Sequence, residues 1–95
     1  SPFYEVVIRV NETDDLPLYF TASCGKNCQG NILLPISQNN AWQTIAVPVR
    51  CLERVGLDKS IANIRSLFLT QGAINFDLHS IIIKEESKAS LEISC

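Results

Sequence analysis

The sequence predicts an all-β fold, an antiparallel β-sandwich. Three observations favour this fold class: apolar residues recur at every second position, the segments rich in β-branched and aromatic residues are short, and turn residues separate them. Seven such segments can be read along the 95 residues, a number typical of small sandwiches. A chain of this length corresponds to one small domain, so we treat residues 1–95 as a single unit.

The first two strands precede the first cysteine. FYEVVIRV begins at Phe3 and alternates between two faces, and PLYFTASC, which opens at Pro17, is rich in aromatic and β-branched residues. The alternation predicts that one face of the first strand is buried. That face consists of Tyr4, Val6, Ile8 and Val10.

Two strands are predicted in the middle of the chain. ILLPI is short because Pro35 interrupts it, and WQTIAVPV follows a polar loop. The inward face of the second of these strands consists of Ile45, Val47 and Val49. Pro48 has no backbone N–H to donate, so it predicts an edge strand or a bulge. After it, CLERVG is expected to form one helical turn that ends at Gly56, and Asp58 is placed to cap a second turn through DKSIAN.

The last three strands are predicted from roughly Ile64 to Gln71, from Ile74 to Lys84, and in ASLEIS. The alternation slips within the longest of them, since Ile81 and Ile83 become the better inward pair. An extra residue would cause such a slip, so we predict a β-bulge near His79–Ser80.

Charge and hydropathy exclude several classes of partner. The net charge is −2 and the basic residues are scattered, whereas a nucleic-acid groove or an anionic membrane surface needs clustered lysine and arginine. No apolar run approaches the roughly 20 residues of a membrane span. We therefore expect no nucleic acid and no membrane as partners.

The four cysteines do not match a metal site or a redox motif. A structural zinc site usually presents two close pairs of ligands, and here only Cys24 and Cys28 are close, while Cys51 and Cys95 stand alone. A redox pair is normally Cys-x-x-Cys at the start of a helix in a βαβ unit, and neither the spacing nor the all-β setting fits. We expect no metal and no other cofactor.

Disulfides explain the cysteines better. Four cysteines allow three pairings, and we predict Cys24–Cys28, across the turn CGKNC, together with Cys51–Cys95. On the chain-entropy model the short loop contributes about 2 kcal/mol and the long one about 4 kcal/mol to stability. Two disulfides are typical of exported proteins, so the expected location is periplasmic or secreted.

Three segments in this order carry a resemblance to a known family: CGKNCQG, WQTIAVPVRCLERVGLD and SLFLTQGAINFDLHSIIIK. Together they resemble the galactose-binding-like C-terminal domain of bacterial family 3 glycoside hydrolases, the exo-β-glucanases and β-glucosidases. The matching positions are Cys24, Gly25, Cys28, Trp42, Ile45, Val47, Pro48, Val49, Cys51, Gly56, Asp58, Phe68, Leu69 and Gly72. A late cysteine in the family's pattern resembles Cys95 and supports the long disulfide.

The resemblance implies a jelly-roll sandwich that acts as an accessory domain. Such a domain would pack on the catalytic domains of its parent hydrolase and contact β-glucan oligosaccharide. The family's domain begins several strands earlier, so the first strands of the sandwich are expected to be missing from this chain. Phe3 to Val10 would then be an unprotected edge, and the fragment is expected to self-associate.

Catalysis is not expected from this chain, although its parent is expected to be an enzyme that cleaves β-glucosidic bonds. Family 3 hydrolases place their nucleophile and general acid in other domains. Glycoside hydrolysis needs two carboxylates at a fixed separation, and adjacent acids such as Asp14 and Asp15 are more typical of a solvated turn. The sole histidine, His79, lies on the polar phase of a strand without a partner motif.

The best candidate for carbohydrate binding is the segment SQNNAWQ, because a sugar site combines an aromatic platform with polar neighbours. Its candidate residues are Gln38, Asn39, Asn40, Trp42 and Gln43. Trp42 is out of phase with the inward residues of its strand, which turns it away from that core face. The alternative is that Trp42 covers the end of the sandwich. Two functions therefore remain open, an accessory domain and a free-standing carbohydrate-binding module or lectin.

Overall fold

The computed structural model of the chain describes residues 2–10, 17–36, 40–58, 64–70 and 75–95. Within these ranges the chain forms seven strands and one short helix. They are β1 (Phe3–Val10), β2 (Leu18–Gly25), β3 (Cys28–Leu33), β4 (Gln43–Pro48), α1 (Val49–Arg54), β5 (Arg65–Thr70), β6 (Phe76–Lys84) and β7 (Leu91–Glu92). The second helical turn predicted in DKSIAN falls on residues 59–63, outside the described residues. In the described part of the chain, no helix has the length and apolar character needed to cross a membrane.

The strands form two sheets that pack face to face. The four-stranded sheet has the order β6-β1-β4-β7, and the three-stranded sheet has the order β3-β2-β5. The strand pairs are antiparallel except for the short pairing of β4 with β7, which is parallel. The prediction of an all-β, antiparallel-rich sandwich is confirmed.

The core lies between the two sheets and is built by the alternation predicted for β1. Tyr4, Val6, Ile8 and Val10 are buried, whereas the residues between them are half-buried. The ring centroid of Phe20 lies 5.2 Å from that of Tyr4 across the core and 5.8 Å from that of Phe68 in the same sheet. Burial of each large apolar side chain contributes roughly 1.5–3 kcal/mol, so these contacts hold the sheets together.

The first strand is not an edge. β1 pairs with β4 on one side and with β6 on the other, so the expectation that Phe3–Val10 is unprotected is wrong. The error has a topological reason: both neighbours of β1 come from distant parts of the chain. Among the described strands, the edges of this sheet are β6, next to β1, and β7. The exposed apolar residues of β6 are Leu78, Ile82 and Ile83.

The bulge predicted in β6 is confirmed. Val7 pairs with Ser80 and Ile8 pairs with Leu78, so His79 is the extra residue between two partners on β1. After the bulge Ile81 packs against the core as expected. Ile83 does not, since 62% of its surface is exposed. Ile83 pairs with Tyr4 near the end of β6, which is an edge strand of its sheet.

Pro48 ends β4 and precedes the helix, which begins two residues earlier than predicted. β4 lies between β1 and β7, and its described pairing with β1 runs to Pro48 without a register shift, so the expectation of an edge strand or a bulge at Pro48 is wrong. The next residue, Val49, donates its backbone N–H to the carbonyl of Pro2. Because successive N–H groups of a strand point to opposite sides, the proline nitrogen faces the β7 side, where β7 pairs only with Ile45 and Ala46 among the described residues.

Both predicted disulfides are formed, Cys24–Cys28 and Cys51–Cys95. The first joins β2 to β3, which starts at Cys28, four residues before the predicted strand ILLPI. The second ties α1 to the end of the chain. The helix also packs closely on β3, because a Cβ at Gly30 would lie 2.6 Å from the carbonyl oxygen of Leu52.

Candidate functional site

Trp42 lies just before β4 and faces away from the core. Ile45, three residues later, is fully buried, whereas 49% of the surface of Trp42 is exposed. This confirms that the indole turns away from the core. We call the side of the four-stranded sheet that is turned away from the three-stranded sheet the outer face. The odd-numbered side chains of β1 lie on it.

Arg9, on the outer face of β1, lies over the indole. Its guanidinium carbon is 4.8 Å from the centroid of the Trp42 ring. A cation–π contact of this kind contributes roughly 0.5–1 kcal/mol at an exposed site. The contact limits the freedom of the indole, and it places hydrogen-bond donors beside the ring.

Asp77 is the cross-strand neighbour of Arg9. The Nη2 and Nε atoms of Arg9 donate to the same carboxylate oxygen of Asp77 at 2.6 and 3.1 Å. The two side chains are 35% and 45% exposed, so the ion pair contributes little to stability. Its effect is positional, since it fixes a carboxylate close to the arginine that touches the indole.

His79 completes the group. Its ring meets that of Trp42 edge to face with centroids 6.1 Å apart, and its Nδ1 lies 3.2 Å from the hydroxyl of Ser80. The bulge produces this arrangement, because a bulge re-aims the side chain of the extra residue. We call Arg9, Trp42, Asp77 and His79 the Trp42 cluster.

The predicted site is only partly assembled around Trp42. The backbone N–H of Asn40 donates to the carbonyl of Val10 at 3.3 Å, which places Asn40 beside the end of β1. Gln43 pairs with Ile8, a core residue, so its side chain leaves the strand on the face opposite to Arg9. Gln38 and Asn39 lie outside the described residues.

Sequence reasoning missed the three charged or polar neighbours of Trp42. Arg9 lies opposite the buried face of β1, its pairing partner Asp77 lies on the same outer face, and His79, on the polar phase of its strand, is exposed. Their meeting depends on the register between strands 68 residues apart, which no local pattern carries.

A pocket of about 660 Å³ lies on the same outer face. Its lining consists of Glu5, Thr44, Lys84, Glu86, Lys88, Ala89 and Ser90. Glu5 accepts hydrogen bonds from Lys84 Nζ at 3.0 Å and from Ser87 Oγ at 2.9 Å. These two donors, Lys84 foremost, lower the pKa of Glu5 below its ordinary value. The carboxylate is therefore ionised near neutral pH.

The chemistry of the outer face suits a polar ligand that also has an apolar side. The indole offers a flat surface, and arginine and carboxylate groups beside it offer donors and acceptors. Within the described ranges no three histidine, cysteine or acidic residues are grouped as a metal site would require.

Comparison with known protein families gives a match over most of the chain. The family model Exop_C, described as galactose-binding domain-like, matches residues 4–83, which run from β1 into β6. No curated protein and no solved structure matches the chain.

Proposed function

The chain belongs to the Exop_C family of galactose-binding-like domains, and from this membership we propose that it is a carbohydrate-binding accessory domain. In this proposal it is a non-catalytic part of a bacterial family 3 glycoside hydrolase, an exo-β-glucanase or β-glucosidase. The family name and the motif resemblance support the assignment to that enzyme class. The domain packs on the catalytic domains of the parent and contacts glucan.

The observation that carries the binding role is the half-exposed indole of Trp42 within its polar cluster. A pyranose ring has an apolar C–H side that stacks on an aromatic surface, and hydroxyl groups around its edge that need donors and acceptors. Arg9 supplies donors and Asp77 supplies a carboxylate at the side of the indole. The indole therefore suits the apolar side of the sugar, and the polar side chains of the cluster suit its hydroxyl groups.

The affinity of one such site is expected to be weak. A single aromatic surface with a few half-exposed polar neighbours corresponds to a dissociation constant of about 1 mM, or about −4 kcal/mol. Weak binding is sufficient for an accessory domain, because the parent enzyme would hold it close to the polymer and raise the effective ligand concentration.

Export fits the proposal. The two disulfides are consistent with an extracellular location, and we propose a periplasmic or secreted parent protein. The exposed apolar residues of β6 support packing on a catalytic domain.

A free-standing carbohydrate-binding module or lectin is the second candidate. The half-exposed indole and the polar pocket on the same face favour it. The gene that encodes the chain separates the two: an upstream hydrolase region supports the accessory domain, and a short independent gene supports the lectin.

Titration calorimetry with β-1,3- and β-1,4-gluco-oligosaccharides tests the binding role. We expect weak binding that Trp42→Ala reduces further, and circular dichroism checks that the variant keeps its fold. Leu33→Ala is the matched control, because Leu33 is an apolar residue of β3 that is 54% exposed, and we expect it to bind like the wild type. Binding that Trp42→Ala leaves intact would place the site elsewhere, and binding by no glucan would reject the role.

A further inference from the structure

The Trp42 cluster and the pocket at Glu5 adjoin on the outer face. Thr44 lines the pocket and follows Trp42 by two residues, so the two side chains leave the chain in the same direction, about 7 Å apart. On the neighbouring strand, Arg9 and Glu5 are four residues apart, a span of about 13 Å. The two features are therefore consecutive parts of one surface.

The side chains between the Trp42 cluster and the pocket are short. Val7 pairs with Thr44 on one side and with Ser80 on the other, and all three side chains are short. This row lies between the row that holds Arg9 and the row that holds Glu5. Two hydroxyls and a valine thus form a floor that a flat ligand can cross without a steric barrier.

The segment that follows β6 borders the surface at the end away from Trp42. Ser87 Oγ accepts the backbone N–H of Ala89 at 3.1 Å and donates to Glu5, so the segment after β6 is anchored against the sheet beside the pocket. Ala89 and Ser90 of this segment line the pocket together with Thr44 of the floor. The pocket volume of about 660 Å³ lies in the range of roughly 300–1,000 Å³ that is typical of ligand sites.

The charges that line the pocket are balanced. Two acidic residues, Glu5 and Glu86, and two lysines, Lys84 and Lys88, belong to its lining. A ligand with a net charge would gain attraction from one pair and repulsion from the other. An uncharged ligand with many hydroxyl groups finds donors and acceptors in the same place.

We propose that this pocket is a second sugar subsite, continuous with Trp42, and that the domain binds an uncharged oligosaccharide chain lengthwise along the outer face. The inference rests on the proposed carbohydrate-binding function and extends it. Trp42 holds one end of the chain by stacking, the row at Val7 supports its middle, and the pocket binds the hydroxyls of the other end. In this arrangement a disaccharide stacks on Trp42, and a longer chain also fills the pocket.

The test is a titration of the full chain with cello- and laminari-oligosaccharides from two to six sugar units. We expect the affinity to rise by about tenfold between the disaccharide and the pentasaccharide, since the second subsite adds one or two net hydrogen bonds. The double variant Lys88→Ala/Ser90→Ala is expected to lose that gain and to bind the disaccharide like the wild type. Lys26→Ala is the control for the lysine, because Lys26 is exposed at the tip of the β2–β3 hairpin.

The outcomes separate the inference from the function on which it rests. If the pentasaccharide binds no better than the disaccharide, or if the double variant keeps the full gain, the second subsite is rejected while the Trp42 site stands. If no oligosaccharide of any length binds, the carbohydrate-binding function itself is rejected. Trp42→Ala should weaken the binding of short and long chains alike, and its failure to do so would also overturn the lengthwise path.

Discussion

Asp77 offers a test at the scale of a single residue. Its contact with Arg9 positions the two side chains beside the indole and adds little to the stability of the fold. For Asp77→Asn we expect glycan affinity to fall several-fold. A half-exposed ion pair contributes about 0.2–1 kcal/mol, so the melting temperature is expected to shift by only about 1–8 °C. Calorimetric titration and a thermal melt on the same sample provide both readings. Unchanged affinity together with a large loss of stability would show that the pair is structural.

The lowered pKa of Glu5 predicts that the stability of the fold depends on pH. Its pKa is lowered in the folded chain by hydrogen bonds from Lys84 and Ser87, so its ionised form stabilises the fold above the ordinary glutamate pKa. This contribution is lost as the pH falls through the lowered value. We expect Glu5→Gln to be less stable than the wild type at pH 7, and the difference to shrink as the solution is acidified below about pH 4.

Urea melts at a series of pH values measure this effect. Glu92→Gln is the matched control, because Glu92 is an exposed glutamate on β7, and its melts should follow those of the wild type. A difference between Glu5→Gln and the wild type that stays constant from pH 3 to 7, or grows on acidification, would contradict the role assigned to Glu5.

The disulfides act at the scale of elements. Cys24–Cys28 closes a hairpin over a separation of 4, whereas Cys51–Cys95 links α1 to the chain end over a separation of 44. On the entropy model, removing the long link costs about 4 kcal/mol and removing the short one about 2 kcal/mol. Denaturant unfolding of the Cys51→Ala/Cys95→Ala and Cys24→Ala/Cys28→Ala pairs measures the difference. Equal costs, or free thiols in the unreduced wild type, would contradict this assignment.

The strands themselves could be predicted because each carries its own pattern. Alternation identified the buried face of β1, and a slip in alternation located the bulge at His79. The neighbours of β1 could not be predicted in this way, since pairing in a sheet joins distant segments and the sequence pattern is local. The same limit applies to the site. The phase of its strand predicts that Trp42 faces outward, but the register between β1 and β6 is needed to bring Asp77 to Arg9 and so close to the indole.

At the scale of the whole molecule, we expect the chain to hydrolyse no glycoside. Two carboxylates of the outer face are held in ion pairs, Asp77 by Arg9 and Glu5 by Lys84. Both glycosidase mechanisms require a free nucleophile or base opposite a protonated acid. Incubation with an aryl β-glucoside and with laminarin, against a heat-denatured control, checks this. Release of glucose above the control would contradict it.

Self-association stays a prediction, and the structure moves its expected location from β1 to β6. An open strand edge with exposed apolar side chains invites pairing with a second chain, and 49% of the surface of Ile82 is exposed on β6. We expect concentration-dependent association in sedimentation velocity, and we expect Ile82→Lys to reduce it. A monomer at every concentration, or association that Ile82→Lys leaves unchanged, would argue against β6 as the contact.

The central claim is that the outer face of the four-stranded sheet binds gluco-oligosaccharide. Backbone and indole amide shifts recorded by NMR during titration with laminaripentaose and cellopentaose test it most directly, because they report the location of the ligand without a substitution. The account predicts that the shifted signals cluster at the indole N–H of Trp42 and at Arg9, Val7, Thr44 and Ser90. Shifts confined to the three-stranded sheet or to the β2–β3 hairpin, or no shifts with either sugar, would contradict it.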